Sequence, residues 1–437
     1  MEQIYQTVRG TRDILPDDQK FWRYLREIVE KKCESFGCGR IDTPAFEYAE
    51  VFKKSLGDES DIISKEMYEV SRTSNTTEKS ETEEKRTLVL RPEMTAAVAR
   101  AYIQHGMKAW PQPVKLYYEG QLFRYNRPQN GRFRQFNQFG IEIFGDSDPF
   151  TDASVIFLAY QIMNKLGLGK DIVIDINSVG CPSCRPKMKK KLVEYFEKFL
   201  PTLCPDCNRR YATNPLRILD CKEEKCQRIM AGAPQLMDLL CTDCKGHFKS
   251  VLENLDNLQI PYNLNSRLVR GLDYYTKTVF EFFDSRDTNH QTALLGGGRY
   301  DGLLKMFGQP ATPAIGFAAG MERLIERIKE KGIEVPELKS VDICIVQIGE
   351  KAQKKCLPLA TELEEKGYDA ACILGKESLK GQLRLASRMR AKFALIIGQR
   401  EVLDNSVIVR DMDDSSQETV KMSKLYDVLA TKFGRTI

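Results

Sequence analysis

The chain has 437 residues, of which 42% are hydrophobic and 29% are charged. This length and composition are typical of a globular protein of about three domains and exclude a wholly disordered chain. No run approaches the roughly 20 apolar residues of a membrane-spanning helix, and the N-terminus lacks the apolar core of a secretory signal, so we expect neither a membrane partner nor export. The 66 basic and 61 acidic residues leave a net charge of +5, which permits an RNA partner.

Apolar periodicity predicts the first elements of the chain. Residues 17–36 carry apolar side chains near helical spacing after the start signal Pro-Asp-Asp, and 152–166 repeat that spacing, so we expect two helices. The polar run 71–86 predicts a loop or hairpin tip. Apolar and alternating runs predict strands at 114–118, 133–144 and 172–176.

The segment from 177 to about 255 differs in character and predicts an insertion. It is rich in lysine and holds eight of the thirteen cysteines, as the pairs Cys181/Cys184, Cys204/Cys207, Cys221/Cys226 and Cys241/Cys244. Pairs at this spacing are typical ligands of tetrahedral zinc, so we expect structural zinc at two four-cysteine sites, with three pairings open. The alternative is a set of buried free thiols. His247 is expected on the surface and not as a ligand.

The chain after the insertion predicts the end of one domain and the start of another. Strand-like residues resume at 266–283, and a helix is expected from about Met321. Beyond the linker-like stretch 332–340, strand and helix patterns alternate, which predicts a separate α/β domain with a mostly parallel sheet. Its last helix is expected over 420–433.

Four arginines lie in a strand–loop–strand pattern between 122 and 136, with Pro-Gln-Asn-Gly as its turn. They are Arg124, Arg127, Arg132 and Arg134. Guanidinium groups keep their charge and bind phosphate through two hydrogen bonds, so this hairpin suits a polyphosphate. A solvated basic hairpin is the alternative.

Arg270 stands inside an apolar stretch, just before a glycine and the paired Tyr274 and Tyr275. Burying a guanidinium group is costly unless an anion accompanies it. We therefore expect a ligand at Arg270 in preference to a structural ion pair with Asp273 or Glu281.

Two glycine-rich segments come next. The run 296–298 would let a ligand approach the backbone closely, although a tight turn is the ordinary explanation. It is no Walker loop, since Gly-Lys-Ser/Thr does not follow it. Residues 314–324 predict a strand-to-helix junction with Arg323 near the helix N-terminus, where a phosphate tail is favoured. Close packing with an exposed arginine is the alternative.

Together and in this order, the motifs resemble the histidyl-tRNA synthetase family, which belongs to the class II aminoacyl-tRNA synthetases. The resemblance extends from Val8 through the C-terminal domain. The similar segments are, in chain order, 10–13 with Pro16 and Pro44 (N-terminal signature and motif 1), the arginine hairpin (motif 2), 270–275 and 297–302 (two histidine-specific peptides) and 316–323 (motif 3).

The resemblance implies a fold and an activity. The fold is an α+β catalytic domain, built on a six- or seven-stranded antiparallel sheet flanked by helices and formed by 1–176 and 256–335. A mainly helical, Cys-rich insertion (177–255) and an α/β anticodon-binding domain (340–437) complete it. The implied activity is that of a cytoplasmic, homodimeric histidine–tRNA ligase. It would use ATP with Mg²⁺ to form histidyl-adenylate from L-histidine, and then transfer histidine to the 3′ end of tRNA(His).

Site residues follow from the same resemblance, position by position. Arg124 and Arg270 are implied as the catalytic pair on opposite sides of the α-phosphate, and Arg127 and Gln129 as contacts of the tRNA acceptor end. The implied ATP contacts are Arg124, Arg132 and Arg323. The implied histidine contacts are Glu93, Thr95, Arg124, Gln138, Glu142, Arg270, Tyr274 and Tyr275.

Two positions depart from the family pattern, and two other functions compete with the ligase. Asn126 replaces a common glutamate of motif 2, and Met94 stands where glycine is frequent. A regulatory paralogue of the histidine biosynthetic pathway would lack the anticodon module and parts of the histidine peptides, which are intact here. A zinc-dependent RNA-binding protein would not need the arginines and carboxylates of the site. The C-terminal domain also offers a basic face with Lys376, Lys380, Arg384, Arg388 and Arg390.

Overall fold

The fold was analysed in a computed structural model. It divides into two compact units, Met1–Val335 and Pro336–Ile437, so their boundary falls inside the linker-like stretch 332–340. The residues that the structure describes are 5–56, 60, 62–71, 86–126, 131–272, 274–287, 292–337, 340–375 and 378–435. Within those ranges, no helix combines the length and the apolar character that a bilayer span requires.

The first unit is built on a large sheet. Its strands are β1 Gly39–Arg40, β2 Phe46–Tyr48, β3 Glu69–Val70, β4 Leu88–Leu90, β5 Val114–Phe123, β6 Gln135–Phe144, β7 Ile172–Ser178, β8 Asn263–Leu264, β9 Thr276–Asp284, β10 Leu295–Arg299 and β11 Ala314–Gly320. Of the described strands, eight form one sheet in the order β1-β5-β6-β11-β10-β9-β7-β8, and β2-β4-β3 form a small second one.

The large sheet is antiparallel except at its two edges. The six inner strands pair antiparallel, whereas the two-residue strands β1 and β8 pair parallel with β5 and β7. The expected antiparallel sheet is thus confirmed, but its expected six or seven strands become eight in the described chain. Two-residue edge strands have no detectable alternation, so sequence patterns could not reveal them.

Helices pack on both faces of this sheet. The helices of the first unit are α1 Gln19–Ser35, α2 Ala49–Leu56, α3 Thr95–Gln104, α4 Pro149–Lys165, α5 Arg185–Phe196, α6 Pro205–Thr213, α7 Glu224–Met230, α8 Thr242–Asn257, α9 Leu303–Met306 and α10 Met321–Glu330. The apolar stripe of α1 and the buried face of α4 pack with Phe139, Ile141 and Ile143 of β6 in one core. Because side chains alternate along a strand, Gln138 and Glu142 project to the opposite face, where the site lies.

The predicted strand 266–283 is only partly right. The strand β9 begins at Thr276, and the described residues before it are irregular, so Arg270 is not in a strand. The glycine run, for which a tight turn was the ordinary explanation, instead lies within β10. A side chain at Gly296 would collide with the guanidinium group of Arg270, and one at Gly297 would collide with Phe280 and Phe317. The glycines therefore let other groups pack closely against the strand.

The predicted insertion is mainly helical, as α5 to α8 show. The second unit has its own sheet of β12 Ile343–Gln347, β13 Ala370–Cys372, β14 Phe393–Ile397, β15 Ser406–Asp411 and β16 Gln417–Lys421. Its helices are α11 Glu350–Glu365, α12 Leu379–Arg388, α13 Gln399–Leu403 and α14 Leu425–Lys432.

The second sheet corrects two expectations. The order of its described strands is β13-β12-β14-β15-β16. The first three are parallel, but β15 and β16 pair antiparallel, so the expectation of a mostly parallel sheet was wrong for these last two strands. The last helix begins at Leu425, because 417–421 form β16. A single residue of that strand, Val420, is buried, which leaves no alternation to read.

Candidate active site

A cavity of about 440 Å³ opens on the face of the large sheet that α1 and α4 leave uncovered. Strands β6, β10 and β11, the start of α3 and the start of α10 contribute to its walls. The predicted residues that line it are Glu93, Thr95, Arg124, Arg132, Gln138, Glu142, Arg270, Tyr274, Tyr275 and Arg323. Arg127, Gln129 and Asp273 lie outside the described residues.

Glu142 is the buried acid of this cavity, with 1% of its surface exposed. The hydroxyls of Thr95 and Tyr118 donate to its Oε1 at 2.7 and 3.1 Å, and the hydroxyl of Tyr300 donates to its Oε2. Burial raises the pKa of Glu142 to about 8, although the hydroxyls of Tyr300, Thr95 and Tyr118 favour its charged form. Gly316 faces it across the strand pair, and a side chain there would occupy the space of Oε2.

Glu93 is a second buried carboxylate, and it caps a helix. Its Oε2 accepts the N–H of Thr95 at 2.7 Å and its Oε1 accepts the N–H of Ala96 at 2.8 Å, at the start of α3. Burial raises the pKa of Glu93, while those N–H groups and the charge of Arg124 oppose the shift. The carboxylate thus stands at the positive end of a helix and beside an arginine, both of which favour negative charge.

Arg124 and Arg270 are the predicted pair of cationic groups. Nε of Arg124 donates to the carbonyl of Pro92 at 2.8 Å, and burial lowers the pKa of Arg124. Arg270 pairs with Glu281 and lies 5.6 Å from the ring of Tyr275. The structural ion pair with Glu281, which we expected less, is therefore present, and it lines the cavity. Nε of Arg270 is buried and has no acceptor among the described residues, so the pair leaves a donor for an anion.

Arg323 lies in the first turn of α10, as predicted. Its Nε donates to the carbonyl of Gly131 at 3.2 Å and its Nη1 to that of Ala293 at 2.6 Å. Burial lowers the pKa of Arg323, and the charges of Arg132 and Arg124 lower it further. Like charges that converge on one cavity repel each other, so an anion with several negative charges would relieve the repulsion.

The insertion contributes a wall that sequence patterns did not reveal. Arg217, Asp220 and Lys222 line the cavity; the first two lie in the turn before Cys221, and Lys222 follows it directly. Nη2 of Arg217 lies 3.9 Å from the position a side chain at Gly271 would take. Tyr118 and Tyr300, which hold Glu142, were also missed. Tyr300 lies inside the histidine-specific peptide 297–302, but no sequence signal marks Tyr118.

The structure resolves the pairing of the cysteines. Two groups of four thiols form, each with all four sulfurs within 4.8 Å of one another: Cys181, Cys184, Cys241 and Cys244 (the base cluster) and Cys204, Cys207, Cys221 and Cys226 (the tip cluster). The sulfur–sulfur distances include 3.7 Å for Cys181–Cys184 and 3.8 Å for Cys204–Cys221.

These distances fit metal ligands and not disulfides. Sulfurs about 2.3 Å from a central zinc ion stand about 3.8 Å apart in a tetrahedron, whereas a disulfide needs about 2.05 Å. The N–H groups of Cys241 and Cys207 point at the sulfurs of Cys184 and Cys204, at 3.2 and 3.4 Å. Burial acts to raise the pKa of Cys181, but the N–H groups of Cys184 and Ser183 and the adjacent thiols lower it to about 6. Either group could hold a metal ion.

His247 is not on the surface, so that expectation was wrong. It is 9% exposed, and its Nε2 lies 2.9 Å from Oδ2 of Asp152, because α8 packs against α4. Among the described residues, it belongs to neither cysteine cluster, as expected.

Comparison with known proteins identifies the family. A family model described as histidyl-tRNA synthetase matches residues 10–182 and 221–324, and an anticodon-binding-domain model matches 342–432. A histidine–tRNA ligase of Desulforamulus reducens is 43% identical over 417 residues, which cover 95% of this chain and 97% of the relative. A histidine–tRNA ligase of Acetivibrio thermocellus is 43% identical over 422 residues, which cover 97% of this chain and 98% of the relative. The crystal structure of apo Staphylococcus aureus histidyl-tRNA synthetase is 36% identical with a TM-score of 0.77, and covers 98% of this chain and 100% of its own. The chain belongs to the histidyl-tRNA synthetase family.

Proposed function

We propose that the chain is a histidine–tRNA ligase. It activates L-histidine with ATP and Mg²⁺ to histidyl-adenylate and pyrophosphate, and transfers histidine to the 3′ end of tRNA(His). The observation that carries this proposal is the single cavity in which the buried Glu142 and Glu93 lie beside Arg124, Arg270 and Arg323. Family membership and near-complete coverage of ligase relatives support the same function and disfavour a regulatory paralogue.

The acidic end of the cavity suits histidine. An imidazole N–H can donate to Glu142, whose position is held by three hydroxyls. Gln138 lies four residues before it on the same face of β6. Tyr274 and Tyr275, with ring centroids 4.7 Å apart and ring planes inclined by 47°, offer an aromatic wall for the imidazole ring. Glu93 is free to accept the α-ammonium with its remaining lone pairs, and Thr95 adds a hydroxyl.

The cationic side suits ATP. The histidine carboxylate attacks the α-phosphate in line, so positioned positive charge supplies most of the catalysis. We assign Arg124 and Arg270 to the α-phosphate, and Arg323 with Arg132 to the polyphosphate tail. Mg²⁺ would be shared by phosphates and water. The two arginines at the α-phosphate act in the transition state, whereas the tail contacts act chiefly in binding.

The tRNA contacts are proposed at two places. The family resemblance assigns Arg127 and Gln129 to the acceptor end. In the second unit, Lys380, Arg384 and Arg388 are exposed on α12 at successive turns, which makes a basic stripe. Lys376 lies outside the described residues. Binding to a stripe of this kind would weaken as salt rises.

The insertion and the assembly complete the proposal. Residues 177–255 form the insertion between the two catalytic segments 1–176 and 256–335, and 340–437 bind the anticodon. We assign structural zinc to the base and tip clusters. The sulfur–sulfur distances, which fit a tetrahedron around zinc, support this assignment. The family resemblance supports a cytoplasmic homodimer, which light scattering of the purified protein would test.

Charging of tRNA tests the proposal. Purified chain, ATP, Mg²⁺ and labelled histidine should esterify deacylated tRNA(His), and a tRNA for another amino acid should remain uncharged. Glu142→Gln is the matched site variant, because it keeps the shape of the side chain but replaces the carboxyl group with an amide, and its charging rate should fall below that of the wild type. A folded wild-type protein that charges no tRNA would refute the ligase assignment.

A further inference from the structure

Behind the cavity, a charged network lies buried in the core. Arg299 of β10 and Asp152 of α4 are both fully buried. Nε of Arg299 donates to Oδ1 of Asp152 at 2.9 Å, and Nη1 donates to the carbonyl of Asp146 at 2.8 Å. Oδ2 of Asp152 lies 2.9 Å from Nε2 of His247. The carboxylate therefore joins α4 to a central strand on one side and to α8 on the other.

The strand end that this network holds leads directly into the histidine pocket. Arg299 is followed by Tyr300, and consecutive residues of an extended chain project to opposite faces. While Arg299 reaches back to α4, the hydroxyl of Tyr300 reaches Glu142 on the cavity face. The β9–β10 register shifts between Gly298 and Arg299, and the regular β9–β10 pairing ends there. On the β11 side, the N–H of Tyr300 still donates to the carbonyl of Ala314 at 2.8 Å, and on the β9 side the side-chain contacts of Arg299 and Tyr300 replace the regular pairing.

The other end of the network belongs to the insertion. His247 lies in α8, three residues after Cys244 of the base cluster. His247 contacts Asp152, and Asp152 contacts Arg299. The residue after Arg299, Tyr300, contacts Glu142. The catalytic assignments above use neither His247 nor Asp152.

We propose that His247 and Asp152 are positioning residues that hold Tyr300 on Glu142 and thereby couple the last helix of the insertion to the affinity for histidine. The proposal rests on the proposed function, since it takes the Glu142 pocket as the histidine subsite. It distinguishes the network from a purely structural ion pair, which would affect stability without affecting one substrate selectively.

The test compares three substitutions in α8 of the full-length protein. His247→Ala removes the hydrogen bond to Asp152. His247→Gln keeps a donor at the place of Nε2. Val251→Ala is the matched packing control, because Val251 is fully buried one turn later in the same helix. KM for histidine and for ATP are measured by pyrophosphate exchange, and the histidine Kd by calorimetry.

We expect His247→Ala to raise the histidine KM and Kd by about 2- to 30-fold, the range of coupling between connected sites, while the ATP KM stays unchanged. His247→Gln should restore most of the affinity, and Val251→Ala should lower Tm without changing the histidine KM. Equal increases in both KM values, or an increase in Val251→Ala as large as in His247→Ala, would overturn the proposal.

A double-mutant cycle tests the route through Tyr300. If His247 acts through this hydroxyl, His247→Ala should add little to the loss of histidine affinity in Tyr300→Phe. Additive losses would overturn the positioning role. A wild-type protein that binds histidine without exchange would refute the ligase, while the Kd values would still decide this inference. A protein that binds no histidine would overturn both.

Discussion

The candidate active-site cavity and the Cys-rich insertion are ordered by different means. The cavity lies on long hydrogen-bonded strands, and its acid is held by hydroxyls from a neighbouring strand, a helix start and a strand end. The insertion consists of short helices and turns around eight cysteines, six of which are buried. Part of the insertion nevertheless forms a cavity wall. The first region is ordered by the fold itself, whereas we expect the second to need its metal ions.

Metal removal should separate the two regions most strongly. Binding of structural zinc contributes about 10–16 kcal/mol in small domains, so a chelator should unfold the insertion while the large sheet remains. Purified protein should contain about two zinc ions per chain, one for each cluster. Cys226→Ser should lower the content to about one, measured by elemental analysis.

The matched control is Cys344→Ser, which changes a buried cysteine of the second unit outside both clusters. Its zinc content should equal that of the wild type. Hydrogen exchange would show which backbone groups lose protection when the metal is removed. If the backbone N–H groups of the insertion stay fully protected from exchange in zinc-free protein, the insertion does not need metal ions, and the proposed difference between the two regions is wrong.

Loss of Arg270 should affect the chemistry far more than the folding. Arg270→Ala removes one charge from the proposed α-phosphate site, which corresponds to about 3 kcal/mol or roughly 100-fold in exchange rate. The protein should stay folded with a lower Tm, because Glu281, whose side chain is 16% exposed, loses its partner but keeps some contact with water. Arg23→Ala, at an arginine with 57% exposure, is the surface control. Exchange at the wild-type rate in Arg270→Ala would remove this residue from the mechanism.

Arg323 should influence ATP more than histidine. A hydrogen bond to a charged group is worth about 1.5–3 kcal/mol, so Arg323→Ala should raise the ATP KM by roughly 10- to 150-fold. The histidine KM should remain close to that of the wild type, since α10 follows Gly320, which pairs with Gln138, four residues along β6 from Glu142. Steady-state exchange with each substrate varied in turn measures both values, and a selective rise in the histidine KM would contradict the assignment.

The smallest effect concerns pH. Native Glu142 keeps its proton up to about pH 8, whereas an unfolded glutamate loses it near 4.5. Between these values the unfolded state binds fewer protons, so this group lowers the free energy of unfolding as pH rises. Glu142→Gln removes the effect, and its Tm relative to the wild type should rise from pH 5 to pH 9 without histidine. Glu27→Gln, at a residue with 59% exposure, should show no such trend. A constant Tm difference for Glu142→Gln would contradict the burial of this acid.

Most of the residues that line the cavity could be predicted from the sequence, because they belong to contiguous motifs. Arg323 at a helix start, the arginine hairpin and the strand that carries Glu142 could be placed from local patterns, whereas the family resemblance assigned Glu142 to the site. The correct cysteine pairing could not, since spacing along the chain leaves all three pairings open. The same holds for the buried His247 and for Arg217, because both depend on how the insertion packs against distant elements. The apolar residues before Thr276 predict a strand, but side chains such as Leu272 and Tyr274 instead form part of the wall of the cavity.

Histidine-dependent exchange between ATP and labelled pyrophosphate tests the ligase assignment most directly, because it needs neither tRNA nor the second unit's contacts. With wild-type protein and Mg²⁺, L-histidine should support exchange, and each of the other amino acids, supplied alone, should not. Folded, zinc-replete protein that shows no exchange with histidine, or equal exchange with another amino acid, would contradict the assignment.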